Sequence, residues 1–175
     1  MKPPPFPTLS LFSLLTTTLN LTLTSATNLN VTALTYRGPI SILQCWTVAP
    51  PFSTSTSGPI GASVASLGGV SGNASFIVQP PGSAGGYKNA PGPQWSWFIS
   101  GLGHITLLNS TDKVWVVGGK YGLVYADDTD TYGHSTTFPS TDETVLLGLP
   151  TADGKQPEHE VLHEGACGWA DLIGI

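Results

Sequence analysis

The chain has 175 residues, of which 11 are acidic and six are Lys or Arg, so its formal net charge is −5. It has no basic patch, which argues against nucleic-acid binding, because that binding depends on neutralising phosphates with Lys and Arg. The 21 Gly and 15 Pro residues favour turns over long helices, and five Trp, five Tyr and six Phe exclude a disordered chain.

Residues 1–26 have the features of a secretory signal peptide. Lys2 supplies a positive charge, and residues 9–23 form a moderately apolar stretch. The alternative is a membrane anchor, but that would need about 20 predominantly apolar residues, and this stretch is shorter and interrupted by Thr and Asn. We therefore expect a secreted protein whose mature chain begins near Thr27 and whose residues 27–175 form one domain.

Short stretches of alternating apolar and polar residues recur along the mature chain, as in the strands of a β-sandwich or barrel. The predicted strands are 31–37, 41–47, 62–68, 74–79, 94–100, 103–108, 113–118, 122–126 and 144–149. Residues 49–60 and 80–93 are too rich in Gly and Pro for interior strands and are predicted to be loops. The pattern as a whole predicts an all-β domain.

Two features of the mature chain agree with secretion. N-glycosylation sequons occur at Asn30, Asn73 and Asn109. The only two cysteines are Cys45 and Cys167, and an even number of cysteines in an oxidising compartment predicts a disulfide. Two buried free thiols are the alternative.

The middle of the chain resembles the first signature of the cupin superfamily. That signature runs Gly, five residues, His-x-His, three or four residues, Glu, six residues, Gly. At these spacings the chain has Gly82, Lys88, Ala90, Gln94 and Gly101. The spacing is therefore similar to that of a cupin, whereas the metal-binding residues are not.

The second cupin signature ends in a His, which His134 matches. Between Thr35 and Trp169 the chain is similar to one group within the superfamily, the fungal secreted cupin-like proteins. The similar runs are Gly85-Gly86, Asn89-Ala90-Pro91, Gln94, 118–123, 126–129, Gly133-His134 and 157–167. The resemblance implies a single-domain cupin-like β-barrel, or jelly roll.

The same resemblance places Lys88, Gln94 and His134 at the site as candidate catalytic residues. Lys88 and Ala90 occupy the two His positions of a cupin metal centre, and neither side chain suits a metal cation. We therefore expect neither a metal nor any other cofactor. A rearranged metal site is the alternative, and its donors would be His134, Asp127, Asp128 and His104.

The expected site is a small apolar pocket with a few polar groups. Lys88 would donate a charge-assisted hydrogen bond to a substrate carbonyl, and His134 would transfer a proton near neutral pH. The predicted substrate-binding residues are Asn89, Trp95, Trp97, Phe98 and Tyr125. The alternative is that Lys88 is a solvated loop residue and His134 a structural histidine.

Two other motifs are rejected as functional sites. Residues 159–163 match the zinc-protease pattern H-E-x-x-H, but that chemistry needs a helix, and Pro157 and Gly165 bracket a segment too short for one. Residues 127–133 resemble the start of a calcium loop, but Pro139 replaces the final Glu. We interpret them as an acidic turn.

The resemblance to fungal proteins of secondary metabolism implies a cyclase or isomerase that acts by positioning its substrate. The expected partner is a small molecule, with no nucleic acid and no membrane contact after signal cleavage, and a homodimer is left open. Two alternatives belong to other classes. One is a non-catalytic secreted binding or effector-like protein, and the other is a metal-dependent oxygenase or isomerase with an atypical site.

Overall fold

The computed structural model describes Met1, residues 28–108 and residues 110–175. Apart from Met1, the predicted signal peptide lies outside the described residues, and so does the sequon at Asn109. In the part of the chain that is described, no helix combines the length and the apolar character that crossing a bilayer requires.

The prediction of an all-β fold is confirmed, since the described residues form 13 strands, one 3₁₀ turn and one short helix. The strands are β1 (Leu29–Arg37), β2 (Ile40–Val48), β3 (Ser53–Thr54), β4 (Ser63–Val64), β5 (Ser75–Gln79), β6 (Ser83–Lys88), β7 (Gln94–Ser100), β8 (Leu102–Leu107), β9 (Lys113–Val117), β10 (Leu123–Ala126), β11 (His134–Phe138), β12 (Thr144–Pro150) and β13 (His159–Glu164). The 3₁₀ turn is Ala152–Gly154 and the helix α1 is Trp169–Ile173.

The strands form two main sheets and a small hairpin. The large sheet has seven strands in the order β13-β2-β1-β10-β7-β12-β5, and the small sheet has four in the order β6-β11-β8-β9, while β3 pairs with β4. The β1–β10 pair is parallel and the other pairs are antiparallel.

Among the described residues these sheets do not close into one barrel, because the edge strands β5 and β13 of the large sheet form no ladder with the small sheet. Pro80 and Pro81, which have no backbone N–H to extend a ladder, follow β5. After them the chain enters β6, which pairs with β11 in the other sheet.

The chain also crosses between the two sheets at Gly101, which joins β7 to β8. Gly101 has a φ of 80°, and a Cβ on it would lie 2.3 Å from Oγ1 of Thr144. Only glycine fits this combination of positive φ and close approach, so the crossing depends on that residue.

Apolar side chains of the two sheets meet in an inner core. Phe98, Val124 and Leu146 of the large sheet pack with Ile105, Val116 and Phe138 of the small sheet. A neighbouring cluster consists of Leu34, Leu43, Ala90, Leu107 and Ala126. Burying such side chains contributes about 1.5–3 kcal/mol each, which makes this interface the main stabilising contact between the sheets.

The large sheet buries its other face too, in an outer core of Val31, Ala33, Trp46, Val48, Trp95 and Tyr125. The loop before β5 covers part of this face, where Leu67 packs on the cluster and its carbonyl accepts a hydrogen bond from Trp95 Nε1 at 2.8 Å. Since both faces of β1 are covered, residues 31–35 are all buried despite their alternating directions.

The C-terminal segment is attached to the start of the large sheet. Strand β13 pairs with β2, and after it a disulfide joins Cys167 to Cys45 of β2, with the Cα atoms 4.6 Å apart. The predicted disulfide is thereby confirmed. Asn30 Nδ2 of β1 donates to the Asp171 carbonyl at 2.8 Å, which holds α1 against β1.

Candidate functional site

A cavity of about 90 Å³ lies between the two sheets. Most of its lining is apolar and comes from the inner core, including Phe98 of β7 and Phe138 of β11. Three residues with polar side chains also line it, namely Ser96, His134 and Thr136. An apolar cavity with a few polar groups is the usual form of a small-molecule site.

His134 is the titratable group of this inner cavity. Its Nδ1 lies 2.8 Å from Oδ2 of Asp128, which is 0% exposed, while the His134 side chain is 14% exposed. The carboxylate can only accept, so Nδ1 carries the hydrogen and the neutral ring keeps Nε2 as its acceptor. In the described part of the chain Nε2 has no hydrogen-bond partner, and the residue lines the inner cavity.

Asp128 is held in place by donors from two other segments. Its Oδ2 accepts from Ser41 Oγ at 2.9 Å, and its Oδ1 accepts from the backbone N–H of Ala90 at 3.2 Å. Ser41 also shares a hydrogen bond of 2.6 Å with Thr131 Oγ1. A buried carboxylate is stable only with such donors, and here they also orient the imidazole.

Asn89, a predicted substrate-binding residue, ties down the turn that carries Asp128. Its Nδ2 donates to the carbonyls of Asp128 and Thr131, both at 2.9 Å. These bonds use the amide hydrogens within the protein. Asn89 therefore positions the Asp128–His134 pair in this structure and does not present its amide to the cavity.

Of the other predicted catalytic residues, Lys88 lies nearest to His134. The two residues are directly opposite each other in the β6–β11 ladder, so their side chains start from the same face of the small sheet. Lys88 is exposed on an edge strand and does not line the inner cavity. Its side chain thus lies at the surface and not inside the cavity, and a Cβ on Gly85 would lie 3.4 Å from its Nζ.

Gln94 begins β7 and is half-buried, opposite Ala126 of β10 and Pro150 of β12. It precedes Ser96 and Phe98 on the same face of the strand, yet it is not among the residues that line the inner cavity. The structure therefore pairs Lys88 with His134 in the small sheet and places Gln94 in the large sheet, outside the lining of the inner cavity.

The predicted aromatic lining is divided between the two faces of the large sheet. Phe98 lines the inner cavity, whereas Trp95 and Tyr125 are fully buried in the outer core with ring centroids 5.1 Å apart. Trp97 is partly exposed on that outer face, and its Nε1 donates to the Gly119 carbonyl at 3.0 Å. Burial raises the pKa of Tyr125 to about 12, so it stays a neutral phenol.

The donors considered for a rearranged metal site lie in different places. Asp127, next to Asp128 in sequence, bonds to Gln156, and burial raises the pKa of its carboxyl. His104 stacks on Trp115 with ring centroids 4.0 Å apart. Within the described residues, one group of three donors lies within 4.8 Å, namely Cys45, His163 and Asp171, and its cysteine is part of the disulfide.

The H-E-x-x-H run forms strand β13 and not a helix, in line with our rejection of the protease reading. His159 stacks on Trp46 with ring centroids 3.5 Å apart. His163 lies past a bulge, with Nε2 3.2 Å from Oδ2 of Asp171 in α1. The two imidazoles serve separate contacts, so this segment attaches the C-terminus to the large sheet.

Sequence reasoning missed the part that Asp128 and Ser41 play in the site. Asp128 entered only as one of several metal donors and as part of an acidic turn. The signal that could have pointed to it is the spacing of six residues between Asp128 and His134, across a turn that ends in Gly133. Ser41, 87 residues away from Asp128, carries no such signal.

Comparison with protein-family models, with curated proteins and with solved structures finds no match to this chain. The likeness to cupins therefore stays a prediction from the sequence. What can be inferred about function comes from the inner cavity, its dyad and the rest of the described surface.

Proposed function

We propose that this chain is a secreted, metal-independent, cupin-like protein that binds a small organic molecule and acts as a cyclase or isomerase in fungal secondary metabolism. The observation that carries the proposal is the buried Asp128 bonded to Nδ1 of His134, a residue that lines an apolar cavity. The disulfide fits an extracellular protein. The class of reaction and the fungal setting rest on the sequence resemblance.

The chemistry we propose is proton transfer without an external oxidant. Nε2 of His134 takes a proton from the carbon next to a conjugated carbonyl system, and the C–H electron pair becomes the new C=C of an enolate. The same imidazolium then returns the proton to another carbon, so that atoms and charge balance. Asp128 stabilises the imidazolium, and a positioned base of this kind contributes about 10²–10⁴-fold to the rate.

The surroundings of the dyad suit the intermediate of this reaction. Lys88, at the surface beside His134, can donate to the enolate oxygen of a substrate that extends out of the cavity. The cavity of 90 Å³ equals only about three water volumes. It therefore admits the reacting end of the substrate, and the apolar walls hold that end in one orientation.

Deuterium exchange tests the proposal directly. The purified protein is incubated in D₂O with mesityl oxide, a short conjugated ketone, and deuterium incorporation at carbon is followed by NMR. We expect exchange above the buffer rate, lost in His134→Gln and reduced at least about tenfold in Asp128→Asn. Lys88→Ala should lower turnover more than binding, since its hydrogen bond strengthens as negative charge develops, and Gln94→Ala should have little effect, because Gln94 does not line the inner cavity.

His104→Gln is the matched control, because His104 is a half-buried histidine that stacks on Trp115 and does not line the inner cavity. It should exchange like the wild type. An added chelator should leave the rate unchanged, whereas a loss of activity would support the metal-dependent alternative. Exchange that persists in His134→Gln, or no exchange with any conjugated ketone, would refute the catalytic proposal in favour of a binding protein.

A further inference from the structure

A larger cavity, of about 340 Å³, lies at the end of the large sheet where β1 and β10 begin. Its volume falls in the usual range for ligand pockets, about 300–1,000 Å³, unlike that of the inner cavity. The loop after β2 and the helix α1 complete its walls. The apolar residues of the lining are Leu29, Val31, Phe52, Leu123, Leu172 and Ile173.

One charged residue lines this terminal cavity, and it is Lys120. Its side chain is exposed, and within the described ranges no carboxylate forms an ion pair with it. Its Nζ lies 4.9 Å from the centroid of the Tyr121 ring, and that ring meets Trp169 edge-on at 5.0 Å. The aromatic pair keeps the ammonium at the rim, where it can meet an anion.

The neutral polar side chains that line the terminal cavity are those of Asn28, Asn30, Ser63 and Tyr121. Asn30 donates to the Asp171 carbonyl and accepts from Thr47 Oγ1, both at 2.8 Å, so its amide is already occupied. A ligand would therefore find mainly apolar walls, one cation and the neutral polar groups of Asn28, Ser63 and Tyr121. This is the complement of a molecule with an apolar body and one negative end.

We propose that the terminal cavity binds an amphipathic monocarboxylic acid. Its hydrocarbon lies against Leu29, Leu123 and Leu172, and its carboxylate accepts a charge-assisted hydrogen bond from Lys120. This site shares no lining residue with the inner cavity. The proposal is therefore independent of the proton transfer assigned to His134.

The test compares octanoate with octanol, a neutral molecule of the same chain length, by isothermal titration calorimetry on the purified protein. We expect octanoate to bind more tightly than octanol to the wild type. Lys120→Gln should weaken octanoate about tenfold, which corresponds to the loss of one charge-assisted hydrogen bond, and should leave octanol unchanged. Leu172→Trp should block both ligands by filling the cavity.

Two control variants make the outcome specific. Lys113→Gln removes an exposed lysine of β9, which does not line the cavity, and should bind octanoate like the wild type. His134→Gln should also bind octanoate with wild-type affinity. This variant therefore tests the present proposal independently of the catalytic one. Equal binding of octanoate and octanol, or loss of octanoate binding in His134→Gln with Lys120→Gln unaffected, would overturn the assignment.

Discussion

At the scale of single residues, Asp128 has the most demanding position. Its carboxylate is excluded from solvent. The cost of this burial is offset by hydrogen bonds from the Ser41 hydroxyl, the Ala90 backbone N–H and the His134 imidazole. If the carboxylate is removed, the Ala90 N–H and the His134 Nδ1 lose this acceptor, whereas Ser41 keeps its hydrogen bond with Thr131. Because unpaired buried polar groups are costly, Asp128 supports the fold as well as the proposed chemistry.

We predict that Asp128→Ala lowers the free energy of unfolding by about 1–3 kcal/mol, since it leaves buried hydrogen-bond donors unpaired. Urea unfolding followed by tryptophan fluorescence measures this loss. Asp130→Ala is the matched control, because Asp130 lies in the same turn but is exposed, and its effect should stay within about 0.5 kcal/mol. Equal effects of the two substitutions would contradict the network described here.

Two of the three predicted glycosylation sites lie in the described residues, and they differ in access. Asn73 is exposed in the segment before β5. Asn30 is half-buried, and its Nδ2 already donates to the Asp171 carbonyl. A glycan on Nδ2 would replace a hydrogen of that amide and place a sugar where α1 packs.

We therefore predict that folded, secreted protein carries its glycan at Asn73 and not at Asn30. Enzymatic deglycosylation in ¹⁸O-labelled water followed by peptide mass spectrometry identifies the occupied residue. Asn73→Gln should remove the glycan at this residue and leave a glycan at Asn109 in place, while Asn30→Gln should leave the glycan mass unchanged. A sugar found at Asn30 in protein with the Cys45–Cys167 bridge intact would show that α1 does not pack as described.

At the scale of elements, the strands with clear turn residues at their ends are those that the sequence predicts best. The predicted strand 94–100 coincides with β7, and 31–37 and 41–47 differ from β1 and β2 by at most two residues at either end. Turn residues such as Gly38 and Pro39 mark their ends. Because both faces of these strands are covered, the turn residues at their ends delimit them in the sequence more clearly than alternation does.

The strands β6 and β11 were not predicted. The sequence predicts a loop over residues 80–93 because they are rich in Gly and Pro, but residues 83–88 form edge strand β6, which pairs with β11 and buries little side-chain surface. Strand β11 reads His-Ser-Thr-Thr-Phe, with polar residues facing the inner cavity. Both depend on pairing with distant strands, which a local pattern does not encode.

The candidate site could be predicted only in part, for a related reason. Alternation separates Trp95 and Trp97 from Phe98, but it does not say which face lies toward the other sheet. Because loops and the C-terminal segment cover the second face, both faces are apolar. The neighbours Asp127 and Asp128 pose the same problem, since only the packed structure shows which of the two meets His134.

The contact between β13 and α1 depends on two titratable groups. The Glu164 carbonyl, followed by the Asp171 carboxylate, raises the pKa of His163 above 6.5. The Gly168 backbone N–H, followed by His163, lowers the pKa of Asp171 below 3.8. The nearby Glu164 carboxylate is bound to Arg37 at 2.9 Å, and it faces away as a separate ion pair.

These shifts predict that the contact is strongest between about pH 4 and pH 6.5. Because the pKa of His163 is raised in the folded protein, protonated His163 stabilises the fold fully below pH 6.5. This contribution is lost as the pH rises through the pKa of His163 in the folded protein. Because the pKa of Asp171 is lowered in the folded protein, its carboxylate stabilises the fold above pH 3.8. This contribution is lost as the pH falls through the pKa of Asp171 in the folded protein. Since both side chains are partly exposed, the effect should stay below about 1 kcal/mol.

Thermal unfolding of the wild type and of His163→Gln across pH 4–8 measures this contribution. The stability difference between the two proteins should be largest at the acidic end of that window and should shrink toward pH 8. His104→Gln serves as the control, since its ring stacks on Trp115 in the small sheet. A difference that grows with pH would contradict the assigned signs.

At the scale of the whole molecule, the large sheet is covered on both sides by chain segments that are far apart in sequence. The small sheet packs on one face, the loop that carries Leu67 covers part of the other, and the C-terminal segment closes the end near Asn30. That last contact includes little apolar surface, because α1 has five residues and none is fully buried. The β13–β2 ladder and the disulfide therefore keep the C-terminus in place.

We predict that the double substitution Cys45→Ser and Cys167→Ser lowers the free energy of unfolding by about 4–5 kcal/mol. The bridge spans 122 residues, and closing so long a loop removes much of the conformational entropy of the unfolded chain. Urea unfolding of oxidised wild type and of the variant measures the difference. The affinity of the terminal cavity for octanoate should fall as well, because Leu172 and Ile173 follow the bridge in sequence and line the cavity.

Reduced wild type is the control for the substitutions, since it opens the same bridge without changing a side chain. Both forms should lose octanoate affinity. The hydrogen bond between Asp128 and His134 lies elsewhere, in the inner core, and should still give a downfield Nδ1 proton resonance in NMR. A loss of stability below about 1 kcal/mol would show that the unfolded chain gains little freedom when the bridge opens. Full retention of octanoate binding would show that α1 holds its position at the terminal cavity through the Asn30 and His163 contacts alone.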